Sequence, residues 1–184
     1  MPKDTYIPCL LNLFRQYGYD GATLSRISEA TGLGRASLYH HFPGGKDEMV
    51  ETVLDYLEGW LDRNVLQMLR SSGEPLTRFQ VMCDRMYEVY EGGQQPCLFA
   101  ILLLGSARDV FHAQVSEILR DWIAAIAAVL EEAGMDANLA QQRGEDGVIA
   151  IQGALILSQG LQDSAPFQRV VKQLPQQLCT GLLS

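Results

Sequence analysis

The chain has no apolar run near the roughly 20 residues that cross a membrane. Its Cys97–Leu104 stretch stops at eight residues. No basic segment followed by a long apolar stretch opens the chain, so no signal peptide is read. A cytoplasmic location without membrane contact is expected. Cysteine is sparse and scattered. The four residues, Cys9, Cys83, Cys97 and Cys179, lie far apart, which excludes a zinc knuckle or a CxxC redox pair and leaves buried free thiols. Strand signals are missing too, with no sustained period-two alternation and no Asn-Gly or Asp-Gly hairpin. Positive charge is in deficit overall, at a net −8. That excludes a protein that coats nucleic acid by charge alone.

The charge is unevenly spread. Residues 1–46 sum to +2 and residues 47–184 to −10. Any DNA-binding face therefore belongs to the first segment, with the acidic remainder turned away. Apolar residues at 47% and charged residues at 20% supply a real core, so the chain is not disordered. Apolar periodicity, with glycine and proline between segments, predicts an all-α chain of about nine helices. These span residues 4–17, 24–31, 34 or 35 to 41, 46–70, 76–91, 97–111, 113–133, 138–161 and 166–183. The segment 97–111 is apolar nearly all round and is expected to be a buried central helix. Pro8 is tolerable near a helix start, and Pro175 is expected to bend the last helix. Two domains are expected, 1–46 and 47–184.

The informative stretch runs from Thr23 to Phe42, TLSRISEATGLGRASLYHHF. Thr23 is an N-cap candidate for the first of two short helices, and Gly32 can take the positive φ that ends it. Ile27 and Leu38 must be apolar for the two helices to pack on each other and on the helix before them. Leu33 is expected to plug the turn into the core. Ser28 and Ala36 are small where helices or a groove approach. Together these are the requirements of a helix-turn-helix, whose second helix presents its N-terminal residues to the major groove.

On these residues the chain resembles the TetR/AcrR family of bacterial transcriptional regulators. The resemblance rests on Leu13-Phe14, Gly18-Tyr19-Asp20-Gly21, Thr23, Ile27, Gly32-Leu33, Ser37-Leu38-Tyr39-His40-His41-Phe42 and Lys46, within residues 9–58. The junction Phe42-Pro43-Gly44-Gly45-Lys46-Asp47-Glu48 resembles the LmrA/YxaF-like subgroup. The chain departs from the family in Pro8 and in a short leading arm whose only basic residue is Lys3.

The resemblance implies a three-helix DNA-binding domain joined to an antiparallel helical bundle. It implies that Thr23 and Ser25 meet a phosphate, and that Arg35, Ala36 and Ser37 face bases. Arg35 suits a guanine and Ala36 a thymine methyl. Tyr39 and His40 would reach backbone or bases. Lys46, with the backbone N–H groups at the start of the next helix, would clamp a second phosphate. Arg26 is open between a DNA contact and a solvated surface charge.

The same resemblance assigns the C-terminal helices to a small effector and to a homodimer. Candidate pocket walls are Trp60, Met82, Met86, Tyr90, Phe99, Leu103 and Trp122, and a neutral or weakly polar ligand would suit them. Each of these also reads as plain core. Candidate interface residues are Ile151, Ala154, Leu155 and Ser158 on one helix and Phe167, Val170, Val171 and Leu174 on the next. They could equally close the core of the single chain. An isologous dimer would match a palindromic operator, with recognition helices about 34–36 Å apart or somewhat more.

No cofactor, metal or catalytic residue is expected. His40 and His41 are adjacent on a helix and point apart, and Asp109 with His112 reads as a polar helix end. Gly44-Gly45-Lys46 lacks the upstream glycine and the following hydroxyl of a phosphate-binding loop. The expected function is a dimeric sequence-specific repressor released from its operator by a small apolar or weakly polar ligand. The alternatives are a regulator controlled by a protein partner, and a helical small-molecule-binding protein whose DNA reading has lapsed.

Overall fold

The structure is a computed structural model that describes residues 3–182. Among the described residues it is all helix and turn. The order is a 3-10 turn (Lys3–Tyr6), α1 (Ile7–Gly21), α2 (Leu24–Thr31), α3 (Arg35–His41) and α4 (Gly45–Leu61). A π turn (Asp62–Leu66) continues α4 into α5 (Gln67–Leu69). Then come α6 (Pro75–Val89), a 3-10 turn (Glu91–Gly93), α7 (Leu98–Leu102), a 3-10 turn (Gly105–Ala107), α8 (Arg108–Glu132), α9 (Ala137–Leu161) and α10 (Ala165–Leu178). The expected end of the last helix at Leu183 lies outside the described residues. Pro8 sits in the first turn of α1, where a missing N–H costs nothing. Pro175 lies inside α10, which runs on past it to Leu178.

Two compact units form. The first comprises the described residues up to Gly59 together with Leu98–Val115; the second comprises Trp60–Cys97 and the described residues from Ser116 on. These units do not follow the change of charge at residues 46 and 47. The reason lies in α1, which packs on α2, on α7 and on the turn before α8, and so draws residues 98–115 into the first unit.

In the first unit Leu10, Phe14, Ile27, Leu38, Phe42, Val50, Val53 and Leu54 are fully buried. In the second, α10 packs against α9 and α6, and Phe79, Met82, Trp122, Ile126, Ile151 and Phe167 form the centre.

One expectation is overturned. Residues 97–111 are not a single buried helix. α7 ends at Leu102, Leu104 is 71% exposed, and α8 begins at Arg108 rather than at Ala113. The break has a polar cause. Gly105 takes φ +64°, and a Cβ there would stand 2.6 Å from a carboxylate oxygen of Asp20. That carboxylate accepts the Ser106 N–H at 3.3 Å and the Ser106 hydroxyl. The two hydrogen bonds from Ser106, hydroxyl first, hold the Asp20 carboxyl below the usual carboxylate range. A hydropathy pattern carries no trace of a cap supplied from 86 residues away.

Beside it, Tyr19 donates its hydroxyl to Asp47 and meets the Phe111 ring edge-on, with centroids 6.0 Å apart. Burial first, and then the Asp47 acceptor and its charge, push the Tyr19 phenol up to about 12 from its ordinary 10. The folded chain therefore favours the neutral phenol. This contribution to stability is complete below pH 10 and is lost as the pH rises through about 12. Burial of the Cys83 thiol, also pushed up to about 12, adds a slope of the same sign. Replacing Tyr19 by Phe should flatten, without abolishing, the fall of Tm across this alkaline range. An unchanged slope in the Tyr19→Phe protein would show that the phenol is not linked to folding.

Candidate nucleic-acid interface

α2 and α3 are too short to persist alone, so each is held by its ends and by one buried side chain. At the start of α2 the Arg26 N–H donates to the Thr23 hydroxyl at 3.4 Å. Gly32 ends the helix in the left-handed region at φ 69°. Thr31 and Ser28 then pin the turn. The Thr31 hydroxyl donates to the Ile27 carbonyl at 2.7 Å and accepts the Leu33 N–H at 3.3 Å, and the Ser28 hydroxyl donates to the Leu33 carbonyl at 2.5 Å. Leu33 itself is only half-buried, so these hydrogen bonds, rather than an apolar plug, hold the turn.

Ile27 at 0% and Leu38 at 1% exposure are the buried anchors of the two helices. With Leu38 fixed inward, Arg35, Ala36 and Ser37 stand exposed on the first turn of α3. Tyr39 and His40 are exposed, as are Thr23 and Ser25 at the start of α2. The Tyr39 ring lies 3.7 Å from where a Cβ on Gly45 would stand, so α3 meets the beginning of α4.

The basic side chains differ sharply in commitment. Arg26 donates to the Gly21 carbonyl at 2.7 Å and lays its guanidinium 4.2 Å over the Tyr17 ring. Lys46 is half-buried, donates to the Tyr19 carbonyl at 2.9 Å and sits 4.0 Å over the Tyr19 ring. Lys3 pairs with Glu48. Glu48 also accepts the Gly44 N–H at 2.7 Å. Those two contacts, with Lys3 first, lower its pKa. The expected phosphate clamp at the start of α4 is therefore already occupied from within, by Glu48 at the Gly44 N–H and by Tyr19 at Lys46. A phosphate there has to displace a carboxylate. Arg35 alone among the basic side chains of residues 3–46 has no internal partner. Sequence reasoning missed these commitments, although the Gly44–Glu48 spacing is the kind of local signal that could have shown one.

The C-terminal candidates fall differently from expectation. Met82, Met86, Tyr90 and Trp122 are buried and in mutual service, with Trp122 Nε1 3.4 Å from Met82 Sδ and the Tyr90 hydroxyl 3.3 Å from Cys97 Sγ. They are packed core of the second unit. Trp60 is half-buried in that unit; Phe99, buried, and Leu103, half-buried, belong to the first. None of the seven lines the cleft of the second unit formed by Ser72–Leu76, Arg78, Val129, Glu132, Ala133, Cys179 and Leu182.

The expected dimer residues lie mostly inside the single chain. Ile151, Ala154, Leu155, Ser158, Phe167, Val171 and Leu174 are buried within the single chain, and Val170 is half-buried. Ser158 even accepts the Phe167 N–H at 3.2 Å, tying α9 to α10. The apolar surface of α9 is its other face, where Ile149 is 65%, Ile156 66% and Leu161 60% exposed. Ile149, Gly153, Ile156 and Gly160 recur at spacings of four, three and four, a legible pattern masked by the second apolar stripe on the same helix.

Asp109 and His112 are exposed on the first turn of α8. Among the described residues no group of three or more His, Cys, Asp or Glu is placed to hold a metal ion. No helix among them is long and apolar enough to cross a membrane.

A short helix anchored by Leu38 behind a pinned turn, with uncommitted Arg35 on its exposed first turn, defines a helix-turn-helix DNA-binding protein. Residues 10–53 match the family described as bacterial regulatory proteins, tetR family. Residues 75–173 match the transcriptional regulator LmrA/YxaF-like C-terminal domain. The chain belongs to the TetR family of transcriptional regulators, in its LmrA/YxaF-like branch, and is not an enzyme.

Among its relatives is the HTH-type regulator YxaF of Bacillus subtilis, 25% identical over 167 residues that cover 89% of this chain and 87% of that one. LmrA of the same organism is 22% identical over 181 residues, 94% of each chain. A TetR regulator from Legionella pneumophila superposes with a TM-score of 0.81 at 18% identity, covering 95% of this chain and 96% of that one.

The cap at Thr23 is testable on its own. Removing the hydroxyl in Thr23→Ala should cost about 1 kcal/mol of stability by urea denaturation. No loss would mean that the 3.4 Å contact contributes nothing.

Proposed function

We propose that this regulator is a homodimeric repressor. It reads a palindromic operator with α3 and leaves the DNA when a small molecule binds the helical body. The observation that carries the reading is the first turn of α3, where an unpaired guanidinium and two small side chains, Ala36 and Ser37, stand clear of the fold. Such a surface suits a bidentate guanine contact beside a close groove approach. Residues 1–46 would read DNA and residues 47–184 would bind the effector and the second copy. The work is done in the cytoplasm, where the chromosome lies.

Two similar proteins support the direction of control and the target. IcaR of Staphylococcus aureus, 37% identical over 65 residues that cover 34% of this chain and 35% of that one, is named a negative transcriptional regulator of a biofilm operon. A mutant of the regulator CifR, TM-score 0.77 and 17% identical over 94% of this chain and 95% of that one, was solved on a 26 bp double-strand operator.

The dimer is assigned to the exposed face of α9 in place of the buried one. Gly153 and Gly160 leave open space beside Ile149 and Ile156, so a second α9 could approach closely across a twofold axis. α4 is the path of release. The chain passes from the first unit to the second within it, at Gly59. A ligand shifts the balance only by binding the released form more tightly.

Selection from a random duplex library at about physiological salt tests the core of this reading. Recovery of a palindrome is expected, and no enrichment by a folded dimer would sink it. Arg35→Ala should lose about 1–3 kcal/mol on the selected site and relax preference at one base pair. Equal losses on selected and random DNA would remove Arg35 from base reading. Lys46→Ala should weaken every sequence alike and reduce the salt slope by about one. Sedimentation of Ile156→Glu should show monomer where the parent is dimer. A dimer of undiminished affinity would place the interface elsewhere.

A further inference from the structure

The second unit carries a cleft of about 590 Å³ where the start of α6 meets the end of α8. Leu76 and Val129 are among its apolar walls, and Arg78, Glu132 and Cys179 contribute polar groups. Arg78 is the unusual member. It is 5% exposed, in the first turn of α6, where a buried cation needs full compensation. Its Nη2 donates to the Leu69 carbonyl, and its Nη1 donates to Glu132 at 2.6 Å. Its Nε is buried with no acceptor. The single carboxylate balancing it is itself 59% exposed, so the pair is anchored on one side only. In the same turn of α6, Pro75 has no N–H and the Arg78 N–H donates to the Glu74 carbonyl at 3.1 Å, which leaves the Leu76 and Thr77 N–H groups without an acceptor in the helix; the N-cap Glu74 supplies no side-chain cap.

We infer that this cleft is a binding site for a small organic monocarboxylate. The ligand carboxylate would take the Arg78 guanidinium and the first turn of α6, and an apolar body would lie along Leu76 and Val129. Glu132 turns out to water, where its mostly exposed side chain loses little. The rim carries Glu74 and Glu132 against one cation, so its charge balance disfavours a dianionic phosphate more than a singly charged carboxylate, whose binding rests on the Arg78 hydrogen bonds. The site is independent of the effector reading above. It is defined by binding, not by operator release.

Cys179 lines the cleft and reports on it. Cys9, half-buried in the other unit, is the internal reference. Burial raises both thiols, so alkylation is run at mildly alkaline pH. Iodoacetamide labelling of each cysteine is followed by peptide mass spectrometry with benzoate, benzamide or inorganic phosphate present. Benzoate at about ten times its Kd should slow Cys179 about tenfold and leave Cys9 unchanged. Benzamide and phosphate should do nothing at either site. Arg78→Met should abolish the protection. If that variant fails to fold, Leu76→Trp fills the cleft from an exposed position, keeps Arg78, and should abolish protection equally. No protection by benzoate, equal protection by benzamide, matching protection of Cys9, or protection that survives Leu76→Trp would each overturn the proposal.

Discussion

A helix of seven residues has no stability of its own, and the function of this protein depends on one. α3 exists because Leu38 is buried in the first unit, as are Leu10, Phe14, Ile27 and Phe42. Burying one leucine contributes about 1.5–3 kcal/mol, enough to hold two turns of helix and no more. That one anchor also settles orientation. With Leu38 inward, the exposed first turn with Arg35 is outward, and Tyr39 meets the start of α4. The hydrogen bonds of Ser28 and Thr31 then fix the angle at which α3 leaves the turn.

Around this anchor the fold spends most of its positive charge on itself. Lys3, Arg26 and Lys46 each hold a carbonyl, a ring or a carboxylate, and Arg35 does not. In a chain of net −8 this makes non-specific DNA binding weak, and on the proposed reading discrimination falls to Arg35, the guanidinium of residues 3–46 with no internal partner. On the proposed reading, a phosphate contact at α4 would come only by exchange, with DNA replacing Glu48 at the Gly44 N–H. An N–H shared between a carboxylate and a phosphate costs little to transfer, because one anion replaces another.

Much of the DNA-binding unit was legible from one strand of text. The limits of α2 and α3, the Thr23 cap, the left-handed Gly32 and the buried pair Ile27 and Leu38 all follow from local rules, and each stands in the structure. The misses share a cause. Asp20 reaching Ser106, the core around Trp122, and the cleft at Arg78 are all made by residues far apart in the chain.

α9 gives the sharpest case. Its two apolar stripes, one through Ile151 and Leu155 and one through Ile149 and Ile156, are nearly equivalent as patterns. Periodicity can show that a helix has two faces to bury, and the sequence by itself determined that much, along with the helical class, the helix-turn-helix and the division of charge. Only the tertiary structure decided which face of α9 meets α10 and which stays open, where the long apolar stretch breaks, and which cation of residues 3–46 remains free. Each of those outcomes depends on a partner many residues away, and local spacing contains no information about what lies across from it.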